Sequence, residues 1–180
     1  MKPTFAASLL ALSLTAAPAL AQDMPFGSAD DVAYAGLIWQ VMLTDKLAGP
    51  GMIHATPYVG TDPHGMILET FYTSATIGGH TGDLIVKRNY GPAGVSADAV
   101  LADPAAHLGA YTVMFRREAG YDADNRDWFW VKYNPDGSLD AMPDGAQLAG
   151  KVAKGMDDGC IACHLGAEGD MVFTSDHLLN

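Results

Sequence analysis

The sequence predicts an α+β fold, an antiparallel β-sheet of about four to five strands packed with helices. Three observations carry this. A well-capped apolar stretch comes early, four apolar and aromatic runs follow between Gly- and Pro-rich breaks, and a helical tail closes the chain. The 180 residues, 49% hydrophobic and 17% charged, suffice for one core of ordinary size.

Ser28 to Leu47 reads as the first helix. Ser28 and Asp31 form a capping signature, and Asp30 and Asp31 complement the positive end of the helix dipole. Val32, Ala35, Trp39 and Met42 recur at mostly helical spacing, and Gly49-Pro50-Gly51 ends the element. Strands are predicted at Met66–Thr73, Asp83–Asn89, Tyr111–Arg116 and Trp128–Tyr133, all rich in β-branched, aromatic or other apolar residues. A helical turn or two is predicted within Ala97–Leu108, interrupted at Pro104. Asn134-Pro135-Asp136-Gly137 is a turn, and a second, short helix is predicted over Gln147–Lys154. No internal repeat or low-complexity linker is visible.

Ten Lys and Arg against 21 Asp and Glu give a net charge of −11. Nucleic-acid binding and attachment to an anionic membrane are therefore not expected, and a charged partner would be basic. The first 21 residues read as a secretory signal. Lys2 is followed by the apolar stretch Phe5 to Leu14 and by Ala19-Leu20-Ala21, a small-x-small cleavage site. Residues 22–180 would then form a single domain exported to a bacterial periplasm, with no membrane span left after cleavage.

Cys160-Ile161-Ala162-Cys163-His164 is C-x-x-C-H, the attachment signature for c-type haem. Two thiols three positions apart reach the two vinyl groups on one edge of the macrocycle, and the adjacent imidazole falls under the iron. The alternatives fit less well. A structural zinc needs further ligands, and the chain holds only two cysteines. A thioredoxin-like pair would open a helix in a βαβ unit, and a disulfide between such close neighbours would staple almost nothing. The sheet would therefore pack with its helices around one covalently bound haem.

Only sixteen residues follow His164, and Met171 lies too close in sequence to swing to the opposite haem face. A sixth protein ligand would have to come from Met66, Met114, Met142, His64, His80 or His107. An open or water-occupied sixth position is the simpler expectation, and it favours ligand binding or catalysis over electron carriage alone.

Three segments also carry a family likeness: Leu84-Ile85-Val86-Lys87-Arg88-Asn89-Tyr90, Tyr111-Thr112-Val113-Met114-Phe115 and Asp127-Trp128-Phe129-Trp130-Val131-Lys132-Tyr133. With Pro63-His64-Gly65, the haem motif and Asp170-Met171-Val172-Phe173-Thr174, they resemble cytochrome P-460 and its relatives, the cytochromes c′-beta, over roughly residues 60–175. The resemblance implies a mainly antiparallel sheet with helices, usually a homodimer, and one haem with His164 as axial ligand. It also implies a lysine bonded to a meso carbon of the haem ring, and Lys87 matches that lysine. Such enzymes oxidise hydroxylamine and pass electrons to an acceptor, with nitrous oxide or nitric oxide as product. The c′-beta relatives lack the lysine bond, have an apolar distal pocket and bind nitric oxide.

On a strand, Lys87 shares a face with Ile85 and Asp83, opposite Leu84 and Val86. Pattern alone would make it a lysine snorkelling from a sheet edge; the flanking match makes it a candidate haem cross-link. Hydroxylamine oxidation needs proton removal, so a distal carboxylate is expected. Glu69, which shares a strand face with Ile67 and Phe71, is the candidate ahead of Glu118 and Asp127. His54, His80, His107 and His177 read as loop histidines, whereas His64 would structure a turn or line the haem crevice. Trp128 and Trp130 alternate with Phe129, so aromatics occupy both faces of that strand.

The expected function is hydroxylamine oxidation, or oxidation of a similar small nitrogen compound, at an open haem iron, with a second cytochrome as redox partner. The alternatives are a nitric oxide-binding protein without catalysis and a simple electron-transfer cytochrome c with six-coordinate iron.

Overall fold

A computed structural model describes residues 24–173. The signal-peptide expectation for residues 1–21 lies outside them, as do Thr174 and His177.

Helix α1 (Ala29–Thr44) starts where the capping pattern predicts. Ser28 Oγ accepts the Asp31 backbone N–H at 3.1 Å, and the Asp31 carboxylate accepts the Ser28 N–H at 3.2 Å. Ala35, Ile38 and Met42 form its buried stripe. Among the described residues six strands follow in one sheet, all antiparallel and ordered as in the chain: β1 (Tyr58–Val59), β2 (Ile67–Ile77), β3 (His80–Tyr90), β4 (Leu108–Arg116), β5 (Trp128–Tyr133) and β6 (Ala149–Gly150). Gly78-Gly79 makes the tight turn between β2 and β3. Helices α2 (Ala97–Ala102) and α3 (Pro104–His107) bridge β3 to β4, broken at Pro104 as expected. Helices α4 (Cys160–His164) and α5 (Glu168–Met171) come last. Among the described residues no helix is long and apolar enough to cross a membrane.

The α+β class and the four long strands match expectation, and two details differ. The sheet has six strands rather than four or five, because β1 and β6 are two residues each, too short for a periodic pattern. The helix expected at Gln147–Lys154 is absent. In its place Ala149 and Gly150 pair with β5, and the Gly27 N–H donates to Ala149 O at 2.7 Å. Gly150 has φ +106° and lies so near the Asp31 carboxylate that a Cβ would come within 2.6 Å of it. Pairing with β5 and contact with the start of α1 override the local helical preference.

Side-chain alternation divides the sheet into two working faces. Leu84, Val86, Val113, Phe115 and Phe129 pack with α1 in the main core. Ile85, Met114, Trp128 and Trp130 point the other way, into a second cluster completed by Ile161 and Met171. That second face carries the candidate site.

Candidate functional site

The haem-motif residues sit on α4, which lies over the sheet face opposite α1 and encloses with it a cavity of about 740 Å³. This volume is within the roughly 300–1,000 Å³ range of cofactor and ligand pockets. Its wall is predominantly apolar, with Ile85, Met114, Trp130, Met142 and Val152 among its residues. Cys160, Cys163, His164 and Lys87 all line it. Lys87, Cys160, Cys163 and His164, distant in sequence, are thus brought into one chamber, and both thiols are unlinked.

His164 is buried and held from behind. Its Nδ1 lies 2.7 Å from Met171 O, and a carbonyl only accepts, so Nδ1 carries the hydrogen and Nε2 keeps its lone pair. The Trp130 ring packs edge-on at 4.8 Å and Phe173 at 5.3 Å, fixing the imidazole plane. Met171 has a left-handed backbone, φ +61°, which an anchored neighbour maintains. Trp128 Nε1 donates to Asp170 O at 2.9 Å, and Arg116, stacked over Trp128, pairs with the Asp170 carboxylate. Burial pulls His164 below the ordinary histidine pKa, against the hydrogen bond to Met171 O. This leaves a neutral imidazole with a free donor nitrogen.

Lys87 projects from β3 beside Ile85, on the face that strand alternation predicts. Thr112 lies opposite it on β4, followed by Lys132 on β5. Burial lowers its pKa, a shift that Cys163 opposes. A half-buried amine with a lowered pKa is a better nucleophile than a solvated ammonium. The indole N–H of Trp130 is buried and has no hydrogen-bond partner among the described residues.

Glu69 lies elsewhere. It is fully buried on the α1 face of β2, directly opposite Arg88 on β3. Its carboxylate takes a hydrogen bond from Arg88 Nη1 at 3.0 Å, another from the Ala55 N–H at 2.9 Å and a third from the Tyr90 hydroxyl. Arg88 also donates to Leu47 O at 2.7 Å and Ile53 O at 2.6 Å. This network fastens the segment between α1 and β1 to the sheet. It is structural, and it places Glu69 on the wrong face for a distal base. Glu118 is an exposed partner of Arg117, and Asp127 Oδ1 accepts the Asp122 N–H at 2.8 Å; neither lines the cavity.

The carboxylates that do line it are Asp62, Asp157 and Asp158, all solvent-exposed at the rim. Sequence reasoning missed them, although Asp157-Asp158 is separated from the C-x-x-C-H motif by Gly159 alone. His64 also lines the cavity, and its ring centre is 6.4 Å from that of His164. Burial, assisted by Lys87, lowers its pKa to about 4. His54 lies 3.3 Å from Glu69, and His80 and His107 belong to β3 and α3 rather than to loops. Among the described residues no group of three or more His, Cys, Asp or Glu is arranged to hold a bare metal ion. No protein-family model, curated protein or solved structure matches this chain.

Proposed function

We propose that this chain is a periplasmic mono-haem cytochrome of the P-460 type, which oxidises hydroxylamine or a similar small nitrogen compound and hands the electrons to another cytochrome. The observation that carries the reading is the convergence of Cys160, Cys163, His164 and Lys87, from two distant parts of the chain, on one apolar cavity.

The residues suit a c-type haem. The thiols stand one helical turn apart and the His164 Nε2 lone pair is free. Haem would supply the redox-active iron. The protein's part would be to hold the His164 imidazole through Met171 O, to exclude water with Ile85, Met114 and Trp130, and to tune the ring through Lys87. Oxidation of hydroxylamine to nitric oxide releases three protons along with three electrons, so a base must be at hand. With Glu69 across the sheet, that role passes to the rim carboxylates Asp62, Asp157 and Asp158.

The exposure of those carboxylates, which leaves the chamber without a buried acid, supports a second reading, a nitric oxide-binding protein of the c′-beta type. Two measurements on protein matured in a haem-attaching periplasm separate them. For the enzyme, the ferrous Soret band is expected to be broad and shifted to the red, and Lys87→Ala should return it to the ordinary c-type position. Turnover of hydroxylamine with an artificial acceptor should fall with it. A wild-type spectrum identical to that of Lys87→Ala, without turnover, leaves the binding protein.

A further inference from the structure

The two cavity histidines form a matched pair. Asn89 holds the proton of His64 on Nδ1 as Met171 O does that of His164, across 3.1 Å against 2.7 Å. The Asn89 Nδ2 donates to Lys87 O at 3.1 Å and Ala110 O at 3.3 Å, so its Oδ1 must face the Gly65 N–H at 3.2 Å and His64 Nδ1 at 3.1 Å. An amide oxygen only accepts, so His64 carries its hydrogen on Nδ1 and keeps a lone pair on Nε2. Thr112 Oγ1, 3.3 Å from the same Nδ1, adds a second tether. The loop that bears His64 is pressed onto β3. A Cβ at Gly65 would come within 2.5 Å of Tyr90 N, so only glycine lets the chain approach this closely.

Each ring thus has Nδ1 bound to protein and Nε2 left over, and both rings wall one cavity. Their centres are 6.4 Å apart and their planes cross at 87°. Metal–imidazole bonds of about 2 Å, with about 1 Å from nitrogen to ring centre, put two imidazoles on opposite sides of one metal about 6 Å apart. Rotation about each bond is free, so perpendicular planes are as acceptable as parallel ones. A ligand held between iron and His64 by a hydrogen bond would widen the separation to about 8 Å or more.

We infer that His64 Nε2 occupies the sixth iron position of the resting protein, opposite His164, so that any small ligand must displace it. The inference rests on the haem reading above, not on hydroxylamine turnover, since six-coordinate iron also suits the electron-transfer alternative, and it changes the resting state. The site is closed by a histidine from the loop before β2, where the sequence led us to expect an open position. Selection then favours ligands strong or small enough to replace an imidazole.

The test is near-infrared magnetic circular dichroism and electron paramagnetic resonance of the ferric, haem-bearing wild-type chain. A low-spin bis-imidazole signature is expected. His64→Ala should convert it to high-spin, free imidazole should restore it, and cyanide should bind at least about tenfold more tightly to the variant because no internal ligand competes. A high-spin wild-type spectrum, or a low-spin one that survives His64→Ala, overturns the inference and leaves the haem reading intact. Absence of covalent haem by intact mass and haemochrome assay overturns both. The wild-type spectrum decides the matter even if the variant fails to fold.

Discussion

Arg88 shows how one side chain can settle the placement of its neighbours. It is fully buried, its guanidinium is shared among Glu69, Leu47 O and Ile53 O, and it stacks 4.5 Å from the centre of the Phe71 ring. Removing one member of a buried ion pair leaves the other charge desolvated and alone. Arg88→Ala is therefore expected to cost about 3–5 kcal/mol in urea unfolding, while a paired Arg88→Met/Glu69→Leu variant recovers a substantial part of it. The Soret spectrum should be the same in both, because neither residue touches the cavity. At the surface, the bidentate hydrogen bonds from Arg117 lower the pKa of Glu118 from its ordinary 4.5 to about 2. A depressed carboxylate contributes stability that is complete above pH 4.5 and lost as pH falls towards 2. Carboxyl NMR should find the low midpoint in the wild type and a return towards 4.5 in Arg117→Gln; the contribution is screened because Glu118 is exposed. The motif formed by Cys160, Cys163 and His164 was legible in sequence because its spacing is local. Glu69 was not: which of its two possible faces meets the cavity depends on where α1 and α4 dock.

At the scale of elements, local signals held wherever a segment could satisfy its own backbone or present one clean apolar face. The Ser28–Asp31 box starts α1 at the expected residue, and Ser28→Ala is expected to cost about 1 kcal/mol in thermal or urea unfolding with no spectral change. Strands β2 to β5 were readable because each is six or more residues long and dense in β-branched or aromatic side chains. Strands β1 and β6 owe their existence to their neighbours. Tyr58–Val59 follows the edge of β2, and Ala149–Gly150 is drawn onto β5 where the body of the chain closes against Asp31. No pattern within residues 147–154 announces that pairing, so the local helical preference misleads there.

As a whole the molecule is a single antiparallel sheet used on both sides, one face filled by α1 and the other walling a chamber. A chamber of this size with apolar walls gains stability from whatever fills it, since binding to the folded state alone favours that state. The haem-bearing chain is expected to be at least about 3 kcal/mol more stable than a Cys160→Ala/Cys163→Ala variant matured in parallel, or about 6–12 °C in melting temperature. Equal melting temperatures by calorimetry would mean that the chamber is not a haem site. The class of fold, the four long strands, the capped helix and the C-x-x-C-H motif are legible in the chain, because periodicity, capping and motif spacing act over a few residues. Packing decides that Lys87 and His64 share a cavity with His164 while Glu69 turns away, that Met171 O holds the His164 imidazole, and that two short strands form the edges of the sheet. Those outcomes depend on which sheet face each strand residue presents to which packed element, and no short-range pattern in the chain carries that information.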